Sequence, residues 1–113
     1  MPEQFIEKYL GIHTADAEQI EISFVNGSLR IRYVDWKEQR RETVLPATLA
    51  FRWQEYDDRA PPRDDTTYEV RESTWLASQL IGASNGELFR HYKLCFNTSG
   101  VLDVICREVV VHE

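Results

Sequence analysis

The dipeptide Asn26-Gly27 constrains this chain more than any other pair of residues in it. Both residues accept the positive φ of a type I′ turn, whose twist matches that of flanking strands, so a hairpin forms here if the flanks alternate. They do. Ile20, Ile22 and Phe24 alternate with Glu21 and Ser23 before the turn, and Leu29, Ile31 and Tyr33 alternate with Arg30 and Arg32 after it. A two-residue turn fixes the register: Phe24 opposite Leu29, Ile22 opposite Ile31 and Ile20 opposite Tyr33 on one face, with Glu21 against Arg32 on the other.

The same period continues downstream. After a polar turn over Lys37-Glu38-Gln39-Arg40, a third strand is expected from Arg41 to Leu45, with Pro46 marking an edge or bulge because it lacks a ladder donor. Leu49, Phe51 and Trp53 then alternate in a fourth strand. Tyr92, Leu94 and Phe96, followed by Thr98-Ser99-Gly100 and then Leu102, Val104 and Cys106, read as a second hairpin. A left-handed Gly100 in its loop would set Phe96 opposite Leu102, Leu94 opposite Val104 and Tyr92 opposite Cys106. The run Val109-Val110-Val111 would extend its last strand.

Two segments read as helix. Pro2 suits a first helical position, and Phe5, Ile6, Tyr9 and Leu10 fall at spacings of three and four before Gly11. Ser73 can cap a second helix carrying Trp75, Leu76, Leu80 and Ile81 before Gly82. Between the strands and this helix, residues 57–67 break every period with adjacent prolines, four aspartates and two arginines, as an exposed loop does. The expected fold class is α+β, a single domain over residues 1–113, with an antiparallel sheet of five to six strands built from hairpins and two short helices packed on one face.

Cys95 falls on the opposite face of the second hairpin from Cys106, so a disulfide between them is excluded and both are expected as thiols in the cytoplasm. The start of the chain shows no basic and apolar leader pattern, and no apolar run is long enough to span a bilayer. A formal net charge of −6 repels phosphate backbones and anionic lipid and favours basic partners, so neither nucleic acid nor membrane is expected as a partner.

No assembled catalytic set stands out. His13, His91 and His112 are at no metal-ligand spacing, no Gly-x-Ser-x-Gly elbow is present, and the separated glycines build no phosphate loop, so no catalytic residue, metal or cofactor is assigned. The carboxylates Glu55, Asp57, Asp58, Asp64 and Asp65 have no EF-hand spacing and are interleaved with Arg59 and Arg63, the composition of a solvated loop. Trp53 and Trp75 read as core. Trp36, at a strand end, with Tyr56 and Tyr68 flanking the acidic loop, are the aromatics suited to a contact surface.

The candidate partner-binding residues are therefore Trp36, Glu55, Tyr56, Asp57, Asp58, Asp64, Asp65 and Tyr68. They point to a non-catalytic binding or inhibitory domain that caps a basic protein; in size, charge and sheet content alone, with no motif behind it, such a domain resembles the immunity proteins of bacterial toxins. The alternatives are a small-ligand domain or enzyme with a pocket between the sheet and the Trp75 helix, and a homodimer formed through an edge strand, the Pro46 segment or the C-terminal valines.

Overall fold

A computed structural model describes residues 3–55, 65–80, 89–97 and 99–112. The first hairpin forms as its sequence dictates. Asn26 and Gly27 take φ of 52° and 78°, and β2 (Glu18–Val25) pairs with β3 (Ser28–Val34) in the expected register from Glu21 to the turn. One expected pair is absent: a bulge between Glu18 and Glu21, with Gln19 at φ 53°, removes Ile20 from register with Tyr33. On the outer face of this sheet Glu21 stands opposite Arg32 as expected, while the ion pairs go to Glu42 of the third strand, which receives Arg32 at 2.8 Å and Arg30 at 3.8 Å.

Beyond the hairpin the architecture departs from α+β. Among the described residues strands account for 58% and helix for 7%, in two antiparallel sheets rather than one. The first sheet runs β2-β3-β4-β9, with β4 at Arg40–Leu45 and β9 at Val110–His112. The second runs β1-β6-β7-β8-β5, with β1 at Gln4–Glu7, β5 at Thr48–Gln54, β6 at Thr67–Arg71, β7 at Arg90–Phe96 and β8 at Gly100–Cys106. Their inner faces share one core: Leu29, Ile31, Tyr33 and Leu45 from the first meet Leu94, Phe96, Leu102 and Val104 from the second. The fold is a β-sandwich.

Each correction has a local cause. The N-terminal segment is strand, not helix: Gln4–Glu7 lie along β6, and Phe5 meets Tyr68 edge-on with ring centres 6.1 Å apart. So short a stretch cannot hold a helix without a docking face, and Tyr9, which would belong to that face, is 75% exposed. The chain then crosses the sandwich and buries Ile12 and Ala17. Pro46 lies in the turn between β4 and β5, where the chain changes sheets, not within a strand. The terminal valines likewise change sheets and pair with β4 instead of extending β8.

The second hairpin keeps its faces but slips by two residues. Phe96 pairs with Gly100, Leu94 with Leu102 and Tyr92 with Val104. A Cβ on Gly100 would lie 2.5 Å from the Gln54 carbonyl oxygen, so only glycine lets β5 close over this turn. Because a slip of two preserves parity, Cys95 and Cys106 still face opposite ways, and both are buried free thiols.

One of the two expected helices is present, α1 at Thr74–Gln79, six residues long and capped by Ser73; Ile81 and Gly82 lie outside the described residues. No helix among the described residues is long and apolar enough to cross a membrane.

Candidate functional site

Two places on the sandwich gather side chains capable of recognition or chemistry. The first is the outer face of the five-stranded sheet under α1. Alternation turns Tyr92 and Leu94 inward, so His91 and Lys93 of β7 point outward; across the ladders, Lys93 opposes Asp103 of β8, which opposes Arg52 of β5. In a two-layer protein that face would meet water. Here Ser73 and Trp75 lie against His91, and His91 is 2%, Lys93 4% and Asp103 1% exposed.

Buried polar groups need partners, and these form a chain. The Ser73 hydroxyl accepts the Leu76 N–H at 3.0 Å and lies 2.7 Å from His91 Nδ1. His91 Nε2 lies 2.6 Å from Asp103 Oδ1. As a carboxylate, Asp103 can only accept, so Nε2 carries a hydrogen, and Ser73 is placed to give its own to Nδ1. The second Asp103 oxygen receives Lys93 Nζ at 3.3 Å and faces Arg52 Nε at 3.5 Å, a charge contact in which Nε makes no hydrogen bond. The Arg52 guanidinium lies 4.3 Å from the centre of the Trp75 ring, whose edge meets His91.

Burial by itself would raise the Asp103 pKa. The His91 hydrogen bond and the Lys93 and Arg52 charges outweigh it and hold the carboxyl below its ordinary range. Ser73, His91 and Asp103 have the residue types of a nucleophilic triad, but the serine oxygen also caps a helix and is buried. The arrangement fastens α1 to the sheet.

The second place is the end of the sandwich where β3 turns into β4. A cavity of about 360 Å³ opens there, walled by Tyr9, His13 and Trp36, floored by Ile12 and Thr14, with Asp65 on its rim. Trp36 is 60% exposed, yet its backbone is fixed. Asp35 Oδ1 accepts the N–H groups of Lys37 and Gln39, and its Oδ2 accepts Arg41 Nε at 2.9 Å. The Arg41 bond lowers the Asp35 pKa, against the effect of burial and with help from those two backbone donors. On the opposite wall the His13 N–H donates to the Tyr33 hydroxyl at 2.8 Å, and the His13 ring meets Tyr9 edge-on. Thr14 Oγ1 donates to the Asp65 carbonyl at 2.7 Å and holds the rim in place.

Of the residues selected from sequence, this cavity brings together Trp36 and Asp65. Glu55 is exposed where β5 ends, beside Gly100 at the tip of the second hairpin. Tyr68 is buried on the outer face of the sheet against Phe5, which removes it from any contact surface. Tyr56, Asp57, Asp58 and Asp64 lie outside the described residues. Sequence reasoning overlooked Tyr9, which it had assigned to a helix face, and Asp35, although aspartate ahead of a polar turn is the standard donor trap of an Asx turn. Among the described residues no three histidine, cysteine or acidic side chains are placed to share a metal ion.

Comparison with protein families, with curated proteins and with solved structures finds no match. The fold and its two sites therefore define a class, a small antiparallel β-sandwich, and the functional reading rests on their geometry.

Proposed function

We propose that this domain binds another protein, and that the contact is made at the end cavity between Tyr9 and Trp36. The observation that carries this is an exposed tryptophan on a backbone already fixed by the Asp35–Arg41 pair. A large aromatic held in place before binding loses little entropy on contact and is the commonest kind of interface hot spot. The acidic segment strengthens the reading, because its last aspartate, Asp65, lies on the cavity rim. A net charge of −6 and this run of aspartates favour a basic partner segment, with an apolar or aromatic side chain to fill the cavity.

Panning a random-peptide display library against the purified domain tests this. Enriched peptides should combine lysine or arginine with an aromatic residue, and Trp36→Ala should weaken them by at least about tenfold. Replacing Asp57, Asp58, Asp64 and Asp65 by asparagine should slow association and flatten its salt dependence. Equal binding by wild type and Trp36→Ala would remove the cavity from the contact.

A second reading, an enzyme with its site between sheet and helix, has the Ser73–His91–Asp103 alignment in its favour. Against it stands the double use of the Ser73 oxygen as helix cap and histidine partner. Chemical reactivity of Ser73 separates the two.

A further inference from the structure

The side of the sandwich where β2 and β5 run is the edge of both sheets, and it is apolar. Phe24 and Phe51 meet across it with tilted rings, their centres 5.2 Å apart, and Phe24 remains 43% exposed. Behind them a cavity of about 300 Å³ lined by Ile20, Ile22, Phe51 and Trp53 opens outward. A contiguous exposed apolar seam along a free strand edge marks a docking surface. Edges are commonly guarded by lysine or proline, and β2 has neither.

The hairpin register says which backbone groups are available. In a two-residue hairpin the pair next to the turn exchanges both ladder bonds, so Val25, Ser23 and Glu21 bond to β3 while Phe24 and Ile22 direct their N–H and C=O groups outward. The bulge at Gln19 ends the regular run on one side and the Asn26 turn ends it on the other. What remains, Glu21 to Val25, has Ser23 at its midpoint.

We propose that this edge takes a second copy of the chain, β2 against antiparallel β2 about a two-fold axis at Ser23, joining the two four-stranded sheets into one. The sequence is self-complementary in that register. Ile22 opposes Phe24 of the second copy, with the outward backbone groups of both exchanged, and their side chains cover the seam. Glu21 opposes Val25, and Ser23 opposes itself. No like charges meet, and Glu21 is already beside Arg32. Moving the axis to Ile22 would run the ladder into the bulge, and moving it to Glu21 would set two carboxylates face to face. The exposed Leu49 and Phe51 of β5 approach the same joint. This match of an edge to itself selects a second copy over a foreign strand.

Ser23→Cys tests the axis directly. Directly opposed, non-hydrogen-bonded strand positions lie about 4.5 Å apart at Cα, within disulfide reach, and the native cysteines do not compete: both are buried, and burial pushes the Cys106 thiol up to about 12. Under mild oxidation Ser23→Cys should give at least about tenfold more disulfide-linked dimer than a control Glu38→Cys on the exposed β3–β4 turn, because pairing raises the effective thiol concentration. Light scattering on the wild type should approach twice the 13.3 kDa chain mass as concentration rises. Phe24→Lys, checked by circular dichroism for retained strand content, should stay monomeric. Equal cross-linking at positions 23 and 38, or a wild type that remains monomeric at every concentration, overturns the proposal.

Discussion

The two faces of the five-stranded sheet are both buried, but they are held together by different physics. The inner face carries Tyr92, Leu94, Phe96, Leu102, Val104 and Cys106 and loses its water to the opposing sheet. Apolar contact there is non-directional, and neighbours can adjust to fill a small change. The outer face carries His91, Lys93, Asp103 and Arg52, with Ser73 and Trp75 of a six-residue helix region set against His91 and Arg52. Each polar group there depends on one or two named partners, so the layer holds only if the set is complete. A helix that short is marginal by itself; the Ser73–His91 bond and the Arg52–Trp75 stack are what keep it on the sheet.

Asp103 should show this difference most strongly. Asp103→Asn removes a buried anion that faces His91, Lys93 and Arg52, and breaking a buried charge pair by removing one partner costs about 3–5 kcal/mol. Denaturant unfolding of the variant at neutral pH measures this. The pH profile sharpens it. The folded carboxyl sits below its ordinary range, so its contribution is complete above the unfolded value of about 3.9 and declines as the pH falls below that. Wild type should lose stability steeply there, and Asp103→Asn should lose less over the same interval, with Asp35 supplying what slope remains. An unchanged acid slope in the variant would mean that the outer layer is not held by this carboxylate.

Ser73 carries the next largest effect and decides between anchoring and chemistry. Ser73→Ala removes the helix cap and the histidine partner together, and loss of a cap costs about 1–2 kcal/mol. If Ser73 only anchors α1, a fluorophosphonate probe should leave the native protein unlabelled by mass spectrometry, and amide exchange in residues 74–79 of the alanine variant should quicken. A stoichiometric adduct at Ser73 would instead make His91 its base and establish the enzyme reading.

The contrast between the faces also explains what the sequence made legible. Hairpins were readable because turn chemistry and alternation are local: Asn26-Gly27 fixed both the turn and the register from Glu21 onward. Parity survived even where register slipped, so the cysteines were placed on opposite faces correctly. What alternation cannot say is whether the second face of a strand meets water or another layer. His91, Lys93 and Asp103 have the pattern of solvent-facing residues, yet all three are buried, with the Ser73 cap and Trp75 of α1 set against His91. Division into two sheets was hidden for the same reason: the change of sheet at Pro46 is a long-range choice that a local proline signal only punctuates. At the end cavity Trp36 and Asp65 were both picked out, while Tyr9 was not, because four apolar residues at helical spacing hid a strand with an exposed tyrosine beyond it.

The smallest expected effect has the opposite sign. Thr43 lies on the inner face of β4, opposite Ile31 and Val111, fully buried, and its hydroxyl has no hydrogen-bond partner among the described residues. On the outer face a buried hydroxyl such as that of Ser73 is satisfied twice and its loss destabilises; in the apolar core the Thr43 hydroxyl faces apolar neighbours. Thr43→Val keeps the branched shape and removes the oxygen, so it should stabilise by about 1 kcal/mol. In a domain of this size that is a rise of about 4 °C in Tm by calorimetry. A valine variant less stable than wild type would mean that Thr43 has a polar partner, and that the core between the sheets, like the layer under α1, depends on directed bonds.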